Sequence, residues 1–321
     1  MPLKMLCASH AHLMDYPGLV PDKVASEARA AVAGHTRRVE AYAPELVIKI
    51  GDDHASGFGL KLMPPFTIGV RAHGVGDFHC SAGPLSTDEP VARELIAFLH
   101  EYGVDVSYSY DMPVDHGIVQ LLDHYFGGVD RVPVVPVMVN CGGDLRPPLK
   151  RTRALGQAIG HYLREHQSDK RVLVVGSGGL SHDPPLPVFT ESPPDVQARI
   201  IAGPPQWTPE TMAARVERVL EFAREHGRGE GPLLPLDPEW DESILGLFAA
   251  RDLDSLCALP DAEVVARGGR GAAEIRNWIA AFAVLEAYTG GDYRAVQDYY
   301  RAIPGWIVGF AMMHGSTEGD W

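Results

Sequence analysis

An α/β fold with a mixed central sheet, helices on both of its faces and a metal pocket at the strand ends is what this sequence predicts, from three observations. Short β-rich apolar runs alternate with stretches of helical periodicity. Those runs are continuous rather than alternating, as strands covered on both faces are. Several of them stop abruptly at polar clusters containing histidine, and in such sheets ligands gather beyond the strand ends.

In order along the chain, "LKMLCASH" at 3–10 reads as a strand, 24–42 as a helix, "LVIKIGDDH" at 46–54 as a strand and 91–102 as a helix. "VDVSYSYDM" at 104–112 and "VPVVPVMVN" at 132–140 follow as strands, then a helix over 151–167 and the strand "RVLVVGSGG" at 171–179. From 182 to 209 the text is dense in Pro, Asp and Ser, which predicts long loops over a surface or pocket. The remainder reads as mostly helical, over 212–226, 241–252 and 271–288, with an apolar "IPGWIVGFAMMHG" at 303–315 packing back. No internal repeat is present, and a single catalytic domain over 1–321 is the expectation.

Composition narrows the partners. The 321 residues are 45% hydrophobic and 22% charged, the profile of a protein with a sizeable core. With 42 acids against 28 Lys plus Arg, the net charge is −14, which argues against nucleic acid or an anionic membrane as partner; an anionic substrate needs a local basic pocket. Cys7, Cys80, Cys141 and Cys257 form no C-x-x-C pair, so a zinc ribbon is excluded and reduced, cytoplasmic thiols are expected. The N-terminal apolar run is broken by His10, too short and too polar for a signal peptide or membrane helix.

The chemistry concentrates at the strand ends: "CASHAH" with His10 and His12, "GDDH" with Asp52, Asp53 and His54, "PVDHG" with Asp115 and His116, and "GSGGLSH" with Ser181 and His182. If the strands end on one side of one sheet, these groups meet in a pocket able to bind metal and move protons. A lone histidine at a strand end is more often a surface or hydrogen-bonded core residue; it is the recurrence that carries weight. Two histidines and a carboxylate leave positions free for exogenous ligands, the arrangement of non-haem Fe(II) oxygenases. Glu274 is one candidate carboxylate, beside the apolar stripe of "GAAEIRNWIAAFAVLEAY" at 271–288, although a solvated first-turn acid fits that position equally; Asp52 and Asp53 are rivals. His35, His100, His124, His161, His166 and His226 read as solvated, while His12, His73, His79 and His314 stay open. "GSGGLSH" runs into "DPPLP", which cannot open a helix, and "RGGRGAAE" lacks the Lys-Ser/Thr of a phosphate loop.

Together, "SH" after the first strand, "DH" after the second, "MPPF" at 63–66, "VDHG" at 114–117, "GSGGLSHDPP" at 176–185, "AAEIRNWIAAFA" and "YYRAIPGWIVGF" resemble the class III extradiol ring-cleavage dioxygenases, the superfamily of the protocatechuate 4,5-dioxygenase β-subunit. The resemblance runs nearly end to end. It implies that His10, His54 and Glu274 bind Fe(II), and that His116 and His182 act as acid and base, with Asp115 orienting His116. It further implies O2 and a catechol as partners, a 3-substituted ring of the 2,3-dihydroxyphenylpropionate type opened beside the diol, and a homo-oligomer. "DDHASGFG" and His12 depart from the family pattern next to the implied ligands, so pocket size near the ring is expected to differ. Lys49, Lys61, Arg71 and Arg276 are equal candidates for a substrate carboxylate. The rival reading is a non-catalytic or zinc-loaded protein on the same scaffold, which has no need of His116 and His182; a zinc hydrolase lacks an obvious nucleophile motif here.

Overall fold

The structure, a computed structural model, describes residues 3–203, 208–317 and 321. Its strands are β1 (Lys4–Ala8), β2 (Leu46–Gly51), β3 (Phe66–Gly69), β4 (Ala72–Val75), β5 (Ala82–Pro84), β6 (Ser107–Ser109), β7 (Met112–Val114), β8 (Val134–Val139), β9 (Val172–Ser177), β10 (Arg294–Ile303) and β11 (Val308–Ser316). Eight form one sheet in the order β10-β11-β1-β9-β2-β8-β3-β6. Its centre, β1-β9-β2-β8, is parallel. The β10–β11 hairpin joins β1 antiparallel on one side, and β3 joins β8 antiparallel on the other. A small second sheet, β5-β4-β7, leads into the loop before residue 116.

Every residue of β1, β2, β8 and β9 is buried, as continuous apolar runs require. The two-residue period sends Met5, Cys7, Ile48 and Val174 to one core and Leu6, Ala8, Val47 and Val175 to the other. The first core is roofed by helices Leu149–His166 and Ile275–Thr289, the second by Asp22–Tyr42 and His116–Phe126. The first pair of helices lies unusually close. A Cβ on Gly156 would fall 2.3 Å from the Ala280 carbonyl oxygen, and one on Gly160 would fall 2.4 Å from that of Val284. No described helix is long and apolar enough to cross a membrane.

Three expectations change. The tail is a β-hairpin rather than a helical remainder with a trailing apolar run: β11 is buried on both faces, and such a run has no period that separates strand from helix. The stretch 104–112 is two short strands in different sheets, β6 and β7. The 182–209 region carries a helix, Pro194–Ala202, within its loops, and its residues 204–207 lie outside the described residues. Helix His116–Phe126 has no counterpart in the periodicity reading. It starts where the Asp115 carboxylate accepts from Gly117 N at 3.0 Å, an N-cap.

Candidate active site

The parallel centre of the sheet does the positioning. Adjacent strands β1, β9 and β2 all end on one side, so His10, the 178–182 segment and the 52–54 segment emerge together, and β7 delivers Asp115 and His116 from the small sheet. Glu274 arrives separately, at the junction of the turn Arg270–Glu274 and helix Ile275–Thr289. That junction is pinned to the strand ends: Asn277 Nδ2 donates to Ser177 O at 2.7 Å and to Asp52 Oδ1 at 3.1 Å, and Trp278 Nε1 donates to Gly178 O at 3.1 Å. Gly179 N then donates to Glu274 Oε2 at 2.8 Å.

The result is a buried set of nitrogen and oxygen donors. Glu274 Oε2 lies 3.3 Å from His10 Nε2, and its Oε1 lies 3.3 Å from His54 Nε2. Asp52 Oδ2 is also 3.3 Å from His54 Nε2. One ligand atom from each of His10, Asp52, His54 and Glu274 falls within 4.8 Å of all the others, a spacing and donor chemistry that fit a divalent metal ion. Behind these atoms His10 Nδ1 shares a hydrogen bond with Ser177 Oγ at 3.0 Å. His54 Nδ1 faces Asp115 Oδ1 at 3.3 Å while its backbone N–H donates to Asp115 Oδ2 at 2.8 Å. A carboxylate behind an imidazole fixes its tautomer and raises its basicity. Asp53 is turned away into its own loop, accepting from Ser56 N, Gly57 N and Phe58 N.

Asp115 was expected behind His116, and it is not there. Its oxygens serve His54, and the partner of His116 is Asp77, which accepts from the His116 backbone N–H at 2.9 Å and from Nδ1 at 2.6 Å. A carboxylate only accepts, so Nδ1 carries a proton. Nε2 of the same ring is buried without a partner. His182 is set differently, since Nδ1 faces Leu180 O at 3.1 Å and Nε2 faces Glu274 Oε1 at 2.9 Å. Both are acceptors, so both nitrogens donate. The His182 ring also fills the space over Gly271, where a Cβ would lie 2.1 Å from Nε2.

Burial and crowding push the acids and bases of this cluster in opposite directions. Burial holds His10 well below the ordinary imidazole value despite Glu274, and lifts Asp52 well above the carboxylate range, with Glu274 adding to it. Burial also resists charge on His54, but Asp52 and Asp115 outweigh it and raise His54 well above its ordinary value. Glu274 stays well below its usual value although buried, because His182 and His10 stand against it; His182 is raised in turn. Burial lowers Lys49 to about 7, opposed by Asp52.

A cavity opens on these groups, lined by His10, His12, His54, His116 and His182, by apolar side chains including Leu13, Phe78 and Trp306, and by Arg215 and Arg218. Neither arginine was singled out from the sequence, and none of the four cations that were lines it. Lys49 donates to the carbonyls of Ile50 and Gly117, Arg71 pairs with Glu89 at the surface, Arg276 is buried against Asp261 and Pro147 O, and Lys61 is exposed. Two histidines expected to be solvated are buried: His35 between Tyr125 and Asp298, and His226 between the carbonyls of Pro304 and Leu234.

A family model described as the catalytic LigB subunit of aromatic ring-opening dioxygenase matches residues 4–311. Among similar proteins, one from Mycolicibacterium smegmatis is 43% identical over 312 residues, covering 97% of this chain and 98% of that protein. One from Mycobacterium sp. (strain MCS) is 44% identical, covering 97% of each. One from Photorhabdus laumondii is 39% identical, covering 98% and 97%. All three are named 2,3-dihydroxyphenylpropionate/2,3-dihydroxicinnamic acid 1,2-dioxygenase.

Proposed function

We propose, from the premise that this chain belongs to the family of the catalytic LigB subunit of aromatic ring-opening dioxygenases, that it is an Fe(II)-dependent extradiol dioxygenase. It inserts both atoms of O2 into a 3-substituted catechol of the 2,3-dihydroxyphenylpropionate type and opens the ring beside the diol. The observation that carries the reading is the convergence at one cavity of two imidazoles, backed by a buried carboxylate, with two further histidines whose hydrogen-bond surroundings differ: Nδ1 of His116 meets a carboxylate and its Nε2 has no partner, while both nitrogens of His182 meet acceptors.

His10, His54 and Glu274 hold the metal on this reading, with Asp115 steadying His54 and Ser177 steadying His10. When bound, Fe(II) supplies redox activity and the open coordination positions that a two-histidine, one-carboxylate site leaves for exogenous ligands. His116 is the base: Asp77 accepts from its Nδ1–H, and Nε2, which has no partner in the protein, is the nitrogen that takes a catechol proton on this reading. His182, a donor at both nitrogens, is the acid that returns a proton from Nε2 as the ring opens. The apolar walls bind the ring and exclude water. Because the site draws on residues from His10 to Glu274, the chain is read as one catalytic domain, and its four free cysteines suit a cytoplasmic enzyme. A homo-oligomer is carried over from the family likeness alone.

The test is O2 uptake with visible absorbance, using anaerobically Fe(II)-loaded protein and catechol, 3-methylcatechol, 2,3-dihydroxyphenylpropionate and protocatechuate. Stoichiometric uptake with a yellow ring-opened product is expected, strongest with the propionate. Bound ferrous iron with no uptake from any of the four would overturn the reading in favour of a metal-binding or zinc-loaded protein.

A further inference from the structure

The cavity joins histidines, two arginines and apolar side chains in one lining. His10, His12, His54, His116 and His182 line it, with Glu274 buried 3.3 Å from His10 and His54, and its apolar lining includes Leu13, Phe78, Val219, Trp306 and Val308. Helix Pro209–Gly227 contributes Arg215 and Arg218, three residues apart and so on the same face of the helix, of which only Arg218 is exposed.

The two guanidinium groups are not equivalent. Arg215 is committed to the protein: its Nη1 donates to Ser56 Oγ at 2.9 Å, its Nη2 donates to His54 O at 3.1 Å, and the group lies 5.5 Å from the centre of the Phe78 ring. It braces the segment that carries His54. Arg218 is exposed and, among the described residues, makes no hydrogen bond or ion pair, although it lines the same cavity. A chain of net charge −14 has no general basic surface to which such a residue could belong. A carboxylate entering an apolar cavity loses hydration and needs a compensating cation, and a planar guanidinium offers it two parallel N–H donors.

We propose that Arg218 is the residue that reads an acidic side chain on the substrate: the diol is held at the histidine end, the ring lies between the apolar walls, and the carboxylate pairs with Arg218 at the solvent side. This rests on the ring-cleavage reading above and adds the determinant of substrate class within it. Because the arginine is exposed on a helix surface, replacing it leaves the core intact.

The experiment compares the wild type with Arg218→Gln and Arg218→Lys on 2,3-dihydroxyphenylpropionate and on its neutral counterpart 3-propylcatechol. It also measures calorimetric binding of 3-phenylpropionate, which has the carboxylate but no diol. In Arg218→Gln the ratio of kcat/KM for the acid over the neutral substrate should fall about 10- to 100-fold, mainly through KM, with partial recovery in Arg218→Lys. Affinity for 3-phenylpropionate should fall in parallel. An unchanged ratio, or an equal loss on both substrates, would overturn the assignment of Arg218. If the iron-loaded wild type turned over neither catechol, the ring-cleavage reading would fail instead, and the 3-phenylpropionate comparison would still decide whether Arg218 binds a carboxylate.

Discussion

Two clusters of histidine and carboxylate, one at the β10–β11 hairpin and one beyond the ends of the parallel strands, are built on different terms. In one, Asp298 of β10 receives His35 at 2.9 Å, His314 of β11 at 2.7 Å and Arg38 at 3.2 Å, and the other His35 nitrogen meets Tyr125 Oη at 3.0 Å. A single carboxylate is matched by a permanent cation and two imidazoles, and both His35 nitrogens have partners. In the other, Glu274, Asp52, Asp115 and Asp77 face His10, His54, His116 and His182, one imidazole nitrogen has no partner, and the whole opens into a pocket. Residue types therefore do not separate a structural cluster from a functional one. Completeness of pairing does, because an unpaired buried polar group is costly unless something else will pair with it.

The comparison can be broken by mutation, and the largest effects belong to the unbalanced cluster. His54→Ala or Glu274→Gln should lose bound iron and turnover together, about 10³-fold or more in kcat/KM, measured by metal analysis and O2 uptake. Stoichiometric iron with full turnover would remove the residue from the site. Next, His116→Phe should keep its iron and lose about 10²- to 10⁴-fold in kcat. The two aspartates should then part company. Asp77→Asn should slow turnover and reshape its pH profile at normal iron content, whereas Asp115→Asn should weaken iron binding about 10- to 100-fold. Iron loss in Asp77→Asn instead would reverse their roles.

The balanced cluster should respond only in stability. Asp298→Asn removes the charge facing Arg38 and one of the two acceptor oxygens that Arg38, His35 and His314 share, and should cost about 1–3 kcal/mol in urea unfolding, with kcat of the iron-loaded enzyme within about twofold of wild type. The smallest effect is its pH dependence. Burial depresses His35 below its ordinary value of 6.5, opposed by Asp298, so as pH falls past 6.5 the unfolded chain takes up the proton before the folded one and this share of stability is lost. The gap in Tm between wild type and His35→Gln should therefore narrow from about pH 7.5 to about pH 5. A gap that widens would show that His35 is charged in the fold.

What could be read from the sequence follows from distance along the chain. Histidines at the ends of parallel strands were visible because strand and terminus are contiguous, and the structure gathers His10, His54, His116 and His182 around one cavity. Asp77 was missed because it lies in a loop after β4, 39 residues from His116, with no periodic signal. Asp115 misled for the converse reason: adjacency in sequence implied contact with His116, while the turn that caps the helix sends its carboxylate to His54. Arg215 and Arg218 are unremarkable charges on an amphipathic helix until the fold lays that helix over the strand ends. Strand β11 of the C-terminal hairpin was hidden by burial on both faces, which erases the alternation that marks a strand.

The glycine-lined contact between helices Leu149–His166 and Ile275–Thr289 divides the molecule for anyone wishing to redesign it. With carbonyl oxygens 2.3 and 2.4 Å from where a methyl group would go, the helix that begins at Glu274 cannot slide or roll without losing its seat. Catalytic apparatus and frame are thus one rigid casting, intolerant of even a single added carbon. Helix Pro209–Gly227 brings Arg218 and Val219 to the cavity wall. Variation that alters the choice of aromatic acid can accumulate at exposed Arg218, whereas Arg215, three residues earlier on the same helix, is tied to the segment that carries His54.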